Sequence, residues 1–235
     1  MIALKNVYKS FDGHDVLKGI SSVMAGGACN MVIGQSGSGK TVLLKSMLGL
    51  HKVDRGQILF DGRDLASMSE KEIGLLHREV GTLFQGSALF DSQSVIENVL
   101  FPLEMWSKMS KQEMRKRAEF CLERVNIQSL AWNLSPAEIS GGMQKRVAIA
   151  RAIALNPRYL FCDEPNSGLD PKTSAVIDEL IESITKEYNI CTVVNTHDMH
   201  SIATIGAHIL FLKQGEVAWE GTKEEFKKLD DIWKD

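Results

Sequence analysis

The stretch Gly34-Gln35-Ser36-Gly37-Ser38-Gly39-Lys40-Thr41 decides how the rest of the chain is read. It meets every fixed position of the phosphate-binding loop: a glycine, four residues, then Gly-Lys-Ser/Thr. Residues 28–33, ACNMVI, are a short, mostly apolar run suited to a buried strand, and residues 42–50 space their apolar side chains for one helix face. A loop between strand and helix is the context such a site needs. Gly34, Gly37 and Gly39 let the backbone curl and come close to a ligand. The turned N–H groups and the helix N-terminus then form a concave anion site, with Gln35, Ser36 and Ser38 completing the loop and Val42 continuing it into the helix. Lys40 supplies a mobile positive charge for β- and γ-phosphates, and the Thr41 hydroxyl can ligate Mg²⁺. The bland alternative is a glycine- and serine-rich connector that happens to contain a lysine. The motif in this setting reads instead as a nucleoside triphosphate site.

The 235 residues suffice for one large α/β domain or two small ones with a substantial core. Hydrophobic residues make up 44% and charged residues 24%, with a net charge of −3. That balance argues against a dedicated nucleic-acid binder, which concentrates basic charge. No apolar run reaches the roughly 18 residues a membrane span needs. Residues 1–20 scatter Lys5, Lys9, Asp12 and Asp15 through them and lack the plan of a signal peptide. Cys29, Cys121, Cys162 and Cys191 lie far apart, three of them in apolar runs, so reduced and mostly buried thiols of a cytosolic protein are expected rather than a metal site.

Residues 2–8, 15–24, 28–33 and 57–60 read as short strands, separated by turn signals at Asp12-Gly13, Gly26-Gly27 and Asp61-Gly62. Together they predict a small antiparallel sheet wrapped against the nucleotide site. Ser69 with Glu72 is a capping box for a helix to about Arg78, followed by a strand at 80–85. From Gly86 to about Leu155 the pattern turns helical: 95–103, stopped or bent near Pro102; 111–125, capped by Ser110 with Glu113; and 141–155, capped by Ser140. Lys111, Arg115, Lys116 and Arg117 read most simply as a solvated helix face. Strands at 159–162, 190–196 and 209–212 then alternate with a helix at 171–187 and a shorter one, and Thr222 with Glu225 opens a small C-terminal helix. Such alternation implies a parallel sheet covered on both faces. The expected plan is a single domain over 1–235, with a core of 1–86 and 156–235 and a helical insertion over 87–155.

Asp163 and Glu164 end an apolar strand, and ligands of open α/β sheets bind beyond the carboxyl ends of strands. Asp163 fits the role of holding Mg²⁺, and Glu164 can orient and deprotonate an attacking water. His197 follows a second apolar strand, and its neutral ring could donate to a γ-phosphate, although a lone histidine there is more often structural. Gln85 also ends a strand and could contact metal or water. Ser140-Gly141-Gly142 opens a helix as a second anion-grade turn. One nucleotide is already cradled at 34–41, so a symmetric dimer, each chain closing over its partner's nucleotide, is one natural solution.

In this order, the phosphate loop, Gln85, residues 139–143 (ISGGM), Asp163-Glu164, Ser167-Gly168-Leu169-Asp170 and His197 resemble the ATP-binding subunit of an ABC transporter over essentially the whole chain. The resemblance implies the α/β P-loop NTPase fold of an ABC ATPase, with a parallel core sheet, an N-terminal antiparallel β-subdomain and an inserted helical subdomain. It implies ATP and Mg²⁺ as cofactors, Glu164, His197 and Gln85 as catalytic residues, and Thr41, Gln85 and Asp163 as metal ligands. It makes Ser140, Gly141 and Gly142 the signature that meets the γ-phosphate in trans, and Asp170 the residue linking the two sites of a homodimer. Phe11, with Tyr8 as runner-up, matches the aromatic that stacks on adenine. Gln85 begins the segment that senses an integral-membrane permease, and the expected place is the cytoplasm, peripheral on the cytoplasmic face of the inner membrane.

One position departs from the pattern: Met143 stands where the family's signature usually has glutamine. Met143, with residues 84–90 (FQGSALF) and 168–171 (GLDP), resembles the branch that works with Mce-domain proteins, the Mla-type systems for phospholipid between bacterial membranes. The expected function is therefore an ATP-driven motor for a lipid transporter, with an Mce-domain lipid-binding protein as a further partner. The alternative is the motor of an importer of amino acids or another small solute, because the motor chemistry is shared. A soluble ABC ATPase acting on DNA or ribosomes is disfavoured by the single cassette, the absence of heptads and the charge, so no nucleic-acid partner is expected.

Overall fold

The computed structural model describes residues 1–228; residues 229–235 of the expected domain lie outside the described residues. The chain opens with β1 (Ile2–Phe11) and β2 (His14–Met24), an antiparallel hairpin turning at Asp12-Gly13. Next, β3 (Ala28–Ile33) leads through the phosphate loop into α1 (Lys40–Met47). After β4 (Arg55–Phe60) and β5 (Arg63–Asp64), helix α2 (Glu70–Arg78) starts at the Ser69–Glu72 capping box and precedes β6 (Val80–Leu83).

Three helices follow: α3 (Val95–Trp106), α4 (Lys111–Arg124) and α5 (Gly141–Ile153). The α/β alternation then resumes with β7 (Tyr159–Asp163), α6 (Pro171–Glu187), β8 (Cys191–Asn195), α7 (Met199–Ile205), β9 (His208–Lys213), β10 (Glu216–Thr222) and α8 (Lys223–Phe226).

Two sheets result. A four-stranded antiparallel sheet has the order β2-β1-β4-β5, and a six-stranded sheet the order β10-β9-β3-β8-β7-β6. The strand before the phosphate loop therefore does not belong to the N-terminal antiparallel sheet, as its place in the chain suggested. It pairs in parallel with β8 on one side and β9 on the other. From Cys29 to Ile33 every residue of β3 is buried, which only a central strand of a doubly covered sheet allows.

The pleat sends alternate side chains into two separate cores. Met31, Leu160, Cys162 and Ile209 face the core shared with α3, α4, α5 and α6. Val32, Phe161, Val193 and Leu210 face the other, shared with α1 and the antiparallel sheet. All four cysteines are free and buried, in line with the sequence reading, and burial pushes the Cys29, Cys121 and Cys191 thiols up to about 11. Among the described residues no helix is long and apolar enough to cross a membrane.

Two further differences from the sequence reading have local causes. Helix α3 does not stop at Pro102 but runs on to Trp106. An interior proline costs about 3 kcal/mol. Burying Val95, Ile96, Val99 and Leu103 at about 1.5–3 kcal/mol each, with the Ser94–Glu97 capping box, exceeds that cost. Strand β10 was not foreseen, because its residues alternate between half-buried and exposed, with no strongly apolar face. Its hairpin with β9 turns at Gln214-Gly215, both at positive φ, without the Asn-Gly or Asp-Gly pair that marks such turns in sequence.

That hairpin supports the phosphate loop. Gly215 N–H donates to the Ser38 carbonyl at 3.2 Å, and the Lys18 N–H donates to the Gly215 carbonyl at 2.8 Å. A Cβ on Gly215, where φ is +84°, would lie 2.4 Å from the Val16 carbonyl oxygen. Gly215→Ala must therefore shift backbone on which the loop rests, at a cost of about 1–2 kcal/mol. The expected result is about tenfold weaker ATP binding, measured by calorimetric titration; unchanged affinity would show that the hairpin does not hold the loop.

Candidate active site

The carboxyl ends of β3, β7 and β8 converge on one edge of the sheet. There a cavity of about 720 Å³ is lined by Gln35, Ser36, Gly37, Gly39, Lys40, Thr41, Val42, Gln85, Glu164 and His197, together with Val16 from β2. Sequence reasoning missed Val16, which carries no chemical signal. Gly34, the first residue of the loop, is pressed against β9: at φ +150°, a Cβ there would come within 2.3 Å of the Leu212 carbonyl oxygen. Only glycine lets the loop start this close to the sheet.

Lys40 reaches over the loop and donates to the Gly34 and Gln35 carbonyls at 2.7 and 3.1 Å. Burial lowers its pKa, while the Glu164 and Asp163 carboxylates act in the opposite direction. An ammonium held by its own loop's carbonyls is one that phosphate oxygens can take over. Asp163 ends β7, and its Oδ1 accepts from Asn195 Nδ2 at 3.3 Å. Glu164 has a left-handed backbone at φ +47°, a conformation costing about 1–2 kcal/mol, and its N–H donates to the Asn195 carbonyl at 2.9 Å. That turn aims its carboxylate into the cavity, where Oε1 lies 2.9 Å from His197 Nδ1.

This contact limits the expected role of a neutral His197. An ionised Glu164 can only accept, so a neutral ring that donates its Nδ1–H to it has no proton on Nε2 for a phosphate. Donation from Nε2 needs the imidazolium, or a Glu164 that has itself gained a proton.

Thr41, Gln85 and Asp163 offer a hydroxyl, an amide oxygen and a carboxylate. Such an all-oxygen set suits a hard cation that keeps water and phosphate oxygens among its ligands. Among the described residues no three His, Cys, Asp or Glu side chains converge on a self-sufficient metal cage. Gln85 Nε2 donates to Ser167 Oγ at 3.1 Å, and the Gln85 backbone carbonyl accepts from the Lys145 ammonium of α5. Arg151, two turns further along α5, donates to the Ser87 and Ala88 carbonyls at 2.9 and 2.8 Å. Neither cation was singled out in the sequence, where both read as ordinary helix residues.

Ser140, Gly141 and Gly142 line no part of this cavity. Ser140 caps α5, accepting from the Met143 N–H at 3.3 Å. Gly142 lies so close to Thr173 that a Cβ would come 2.6 Å from its methyl. Asp170 caps α6 through the Lys172 and Thr173 N–H groups, so the serine-glycine turn and the Asp170 turn sit side by side, apart from the phosphate loop. Phe11 also stands outside the cavity lining, 38% exposed, its ring edge-on to His51 at 5.2 Å. Tyr8 has one ring face covered by the Arg55 guanidinium at 4.3 Å.

The ABC transporter family model matches residues 17–167. The methionine import ATP-binding protein MetN of Clostridioides difficile (strain 630) is 40% identical over 225 residues, spanning 96% of this chain and 70% of that protein. The chloroplastic protein TRIGALACTOSYLDIACYLGLYCEROL 3 of Arabidopsis thaliana is 38% identical, again spanning 96% of this chain and 70% of that protein. A dimeric ATP-binding cassette solved in a post-hydrolysis state with ADP and Pi superposes with a TM-score of 0.86 at 34% identity, over 95% of this chain and 99% of that one.

Proposed function

This chain belongs to the ABC transporter family, and from that premise we propose that it is the ATP-hydrolysing motor subunit of a transporter, closing as a homodimer on ATP to drive a separate integral-membrane permease. The observation that carries the catalytic reading is the 2.9 Å contact between Glu164 and His197 in a cavity floored by the phosphate loop. Phosphate oxygens replace the carbonyls now bonded by Lys40, and the loop's N–H groups hold the remaining charge. A water attacks the γ-phosphorus, the bond to the β–γ bridging oxygen breaks with its electron pair leaving on ADP, and Glu164 takes the water's proton. With Glu164 protonated, the water-exposed His197 ring can exchange to the tautomer that accepts from Glu164 at Nδ1 and carries its proton on Nε2, from which it donates to the departing phosphate. Thr41, Gln85 and Asp163 would hold a Mg²⁺, which would neutralise phosphate charge. Phe11 remains the adenine platform of this reading, with Asp170 facing the partner's site.

Residues 87–155 are read as the inserted helical part, carrying both the Ser140 turn and the partner surface. That surface is a groove of about 400 Å³ lined by Phe84, Ala88, Phe90, Phe101, Pro102 and Arg151. Phe84 and Phe90 are 37% and 39% exposed beside it. Leu89, in the apolar run after Gln85, is half-buried and packs onto the main core, so a charge there would test folding instead. A cytoplasmic helix of the permease is the occupant proposed, since the groove adjoins the Gln85 segment held by Lys145 and Arg151.

For the cargo, the methionine-import relatives favour import of an amino acid or another small solute. They give phospholipid transport and an Mce-domain partner no support. The lipid reading keeps two specific observations, Met143 in the signature turn and a relative named after a galactolipid. One purification addresses both partner and cargo. Phe90→Glu is expected to bind ATP as the parent does, yet to be lost from the permease complex isolated from native membranes. Retention of Phe90→Glu in that complex would refute the groove as the docking site. A solute-binding protein co-purifying with the parent supports the importer, whereas bound phospholipid with an Mce-domain protein reverses the order of the two cargo readings.

A further inference from the structure

We infer that Asp178 is a positioning residue, which from behind the sheet edge holds the Glu164 and His197 loops at hydrogen-bonding distance. The inference rests on the catalytic reading of Glu164 and His197 given above.

Asp178 sits on α6 with no exposed surface. Its Oδ1 accepts from Asn166 Nδ2 at 2.8 Å, and the same amide nitrogen lies 2.9 Å from Ser201 Oγ on α7. Ser201 Oγ donates to Asp198 Oδ2 at 3.0 Å. Asn166 is two residues past Glu164, and Asp198 directly follows His197. The connection therefore closes a ring. It runs from Glu164 to Asn166, whose amide meets Ser201 Oγ, and on to Asp198 and His197, and returns across the 2.9 Å contact in the cavity, with the Asp178 carboxylate anchoring the Asn166 amide from α6. The two loops leave neighbouring strands, β7 and β8, and this polar cluster ties them together beyond those strands.

Packing alone does not explain a carboxylate here. Burial raises the Asp178 pKa, with Asp198 adding to that shift and Asn166 and Ser201 opposing it. Among the described residues, Asp178 Oδ2 and Asn166 Oδ1 are both buried with no hydrogen-bond partner. A half-satisfied buried polar group costs stability that an aliphatic side chain of similar volume would not. A chain that carries such a cost next to its reacting groups is using the hydrogen bonds for geometry, where small displacements are expensive.

The test uses the purified full chain with Asp178→Leu, Asp178→Asn and Ser201→Ala, measuring kcat and KM for ATP and the melting temperature. Asp178→Leu is expected to lose about ten- to a hundredfold in kcat while KM stays within about twofold and the melting temperature does not fall. Asp178→Asn keeps an acceptor for the Asn166 amide and is expected to regain most of that kcat. In a His197→Ala background Asp178→Leu is expected to add nothing, since the contact it positions is already gone. Parent kcat in Asp178→Leu overturns the inference, and so does a loss that adds fully to that of His197→Ala. Should Asp178→Leu not fold, Ser201→Ala decides: a kcat loss at constant KM supports the ring, and parent kcat refutes it. Failure of the catalytic reading has a separate sign, Glu164→Gln turning over at the parent rate.

Discussion

Glu164→Gln is expected to bind ATP like the parent chain and to hydrolyse it about 10²–10⁴-fold more slowly, the usual contribution of a positioned general base. Nothing that holds the nucleotide is altered by this change. The loop N–H groups and Lys40 remain, and glutamine preserves the volume of a side chain that is 17% exposed. What disappears is a proton acceptor for water and the charge that aligns His197 Nδ1 at 2.9 Å. Lys40→Ala should behave differently, losing binding together with turnover. Its ammonium is the cation seated on the loop itself, bonded to the Gly34 and Gln35 carbonyls that would flank the phosphates. Nucleotide affinity by titration and single-turnover hydrolysis separate the two outcomes. A Glu164→Gln chain that hydrolyses ATP at close to the parent rate would remove Glu164 from the chemistry.

The second large effect concerns assembly. Within one chain the phosphate loop and the Ser140 turn do not share a cavity, although each presents backbone N–H groups at a helix start. A nucleotide that engages both must lie between two chains, so its binding energy appears as dimer stability. Glu164→Gln with saturating ATP and Mg²⁺ is expected to run as a dimer in light scattering, and the same chain without nucleotide as a monomer or a loose dimer. Adding Ser140→Arg puts a long cation at the turn whose neighbours are Leu169 and Thr173, and should abolish the ATP-dependent shift. A Glu164→Gln sample that remains monomeric at saturating ATP would sink the shared-site proposal. The solved relative with ADP and Pi is itself described as dimeric, which supports this reading.

What the sequence determined by itself is what local energetics determine. The strand over Ala28–Ile33 and the helix over Pro171–Glu187 stand where the patterns put them. The capping boxes at Ser69, Ser110 and Thr222 open the expected helices. Caps, periodicity and the phosphate-loop spacing act over a few residues, so they can be read without knowing what lies across the fold. The groups that meet in the cavity could be named for the same reason, since Gln85, Glu164, His197 and the phosphate loop each follow closely on the carboxyl end of a strand at one sheet edge.

Tertiary structure alone decided the rest. Whether β3 joined its antiparallel neighbours or entered the parallel sheet depended on β8 and β9, more than 150 residues further on. Helix α3 passes through Pro102 because burial against distant helices outweighs the lost backbone bond. Asp178, Asn166 and Ser201 look unremarkable in sequence, and only packing α6 and α7 beside the two loops brings the Asn166 amide onto both Asp178 and Ser201. The orientation of Glu164 toward Nδ1 of His197 likewise comes from the contact between the loops that follow two neighbouring strands. These are non-local partnerships, whose energies arise only when segments far apart in the chain are brought together and desolvated.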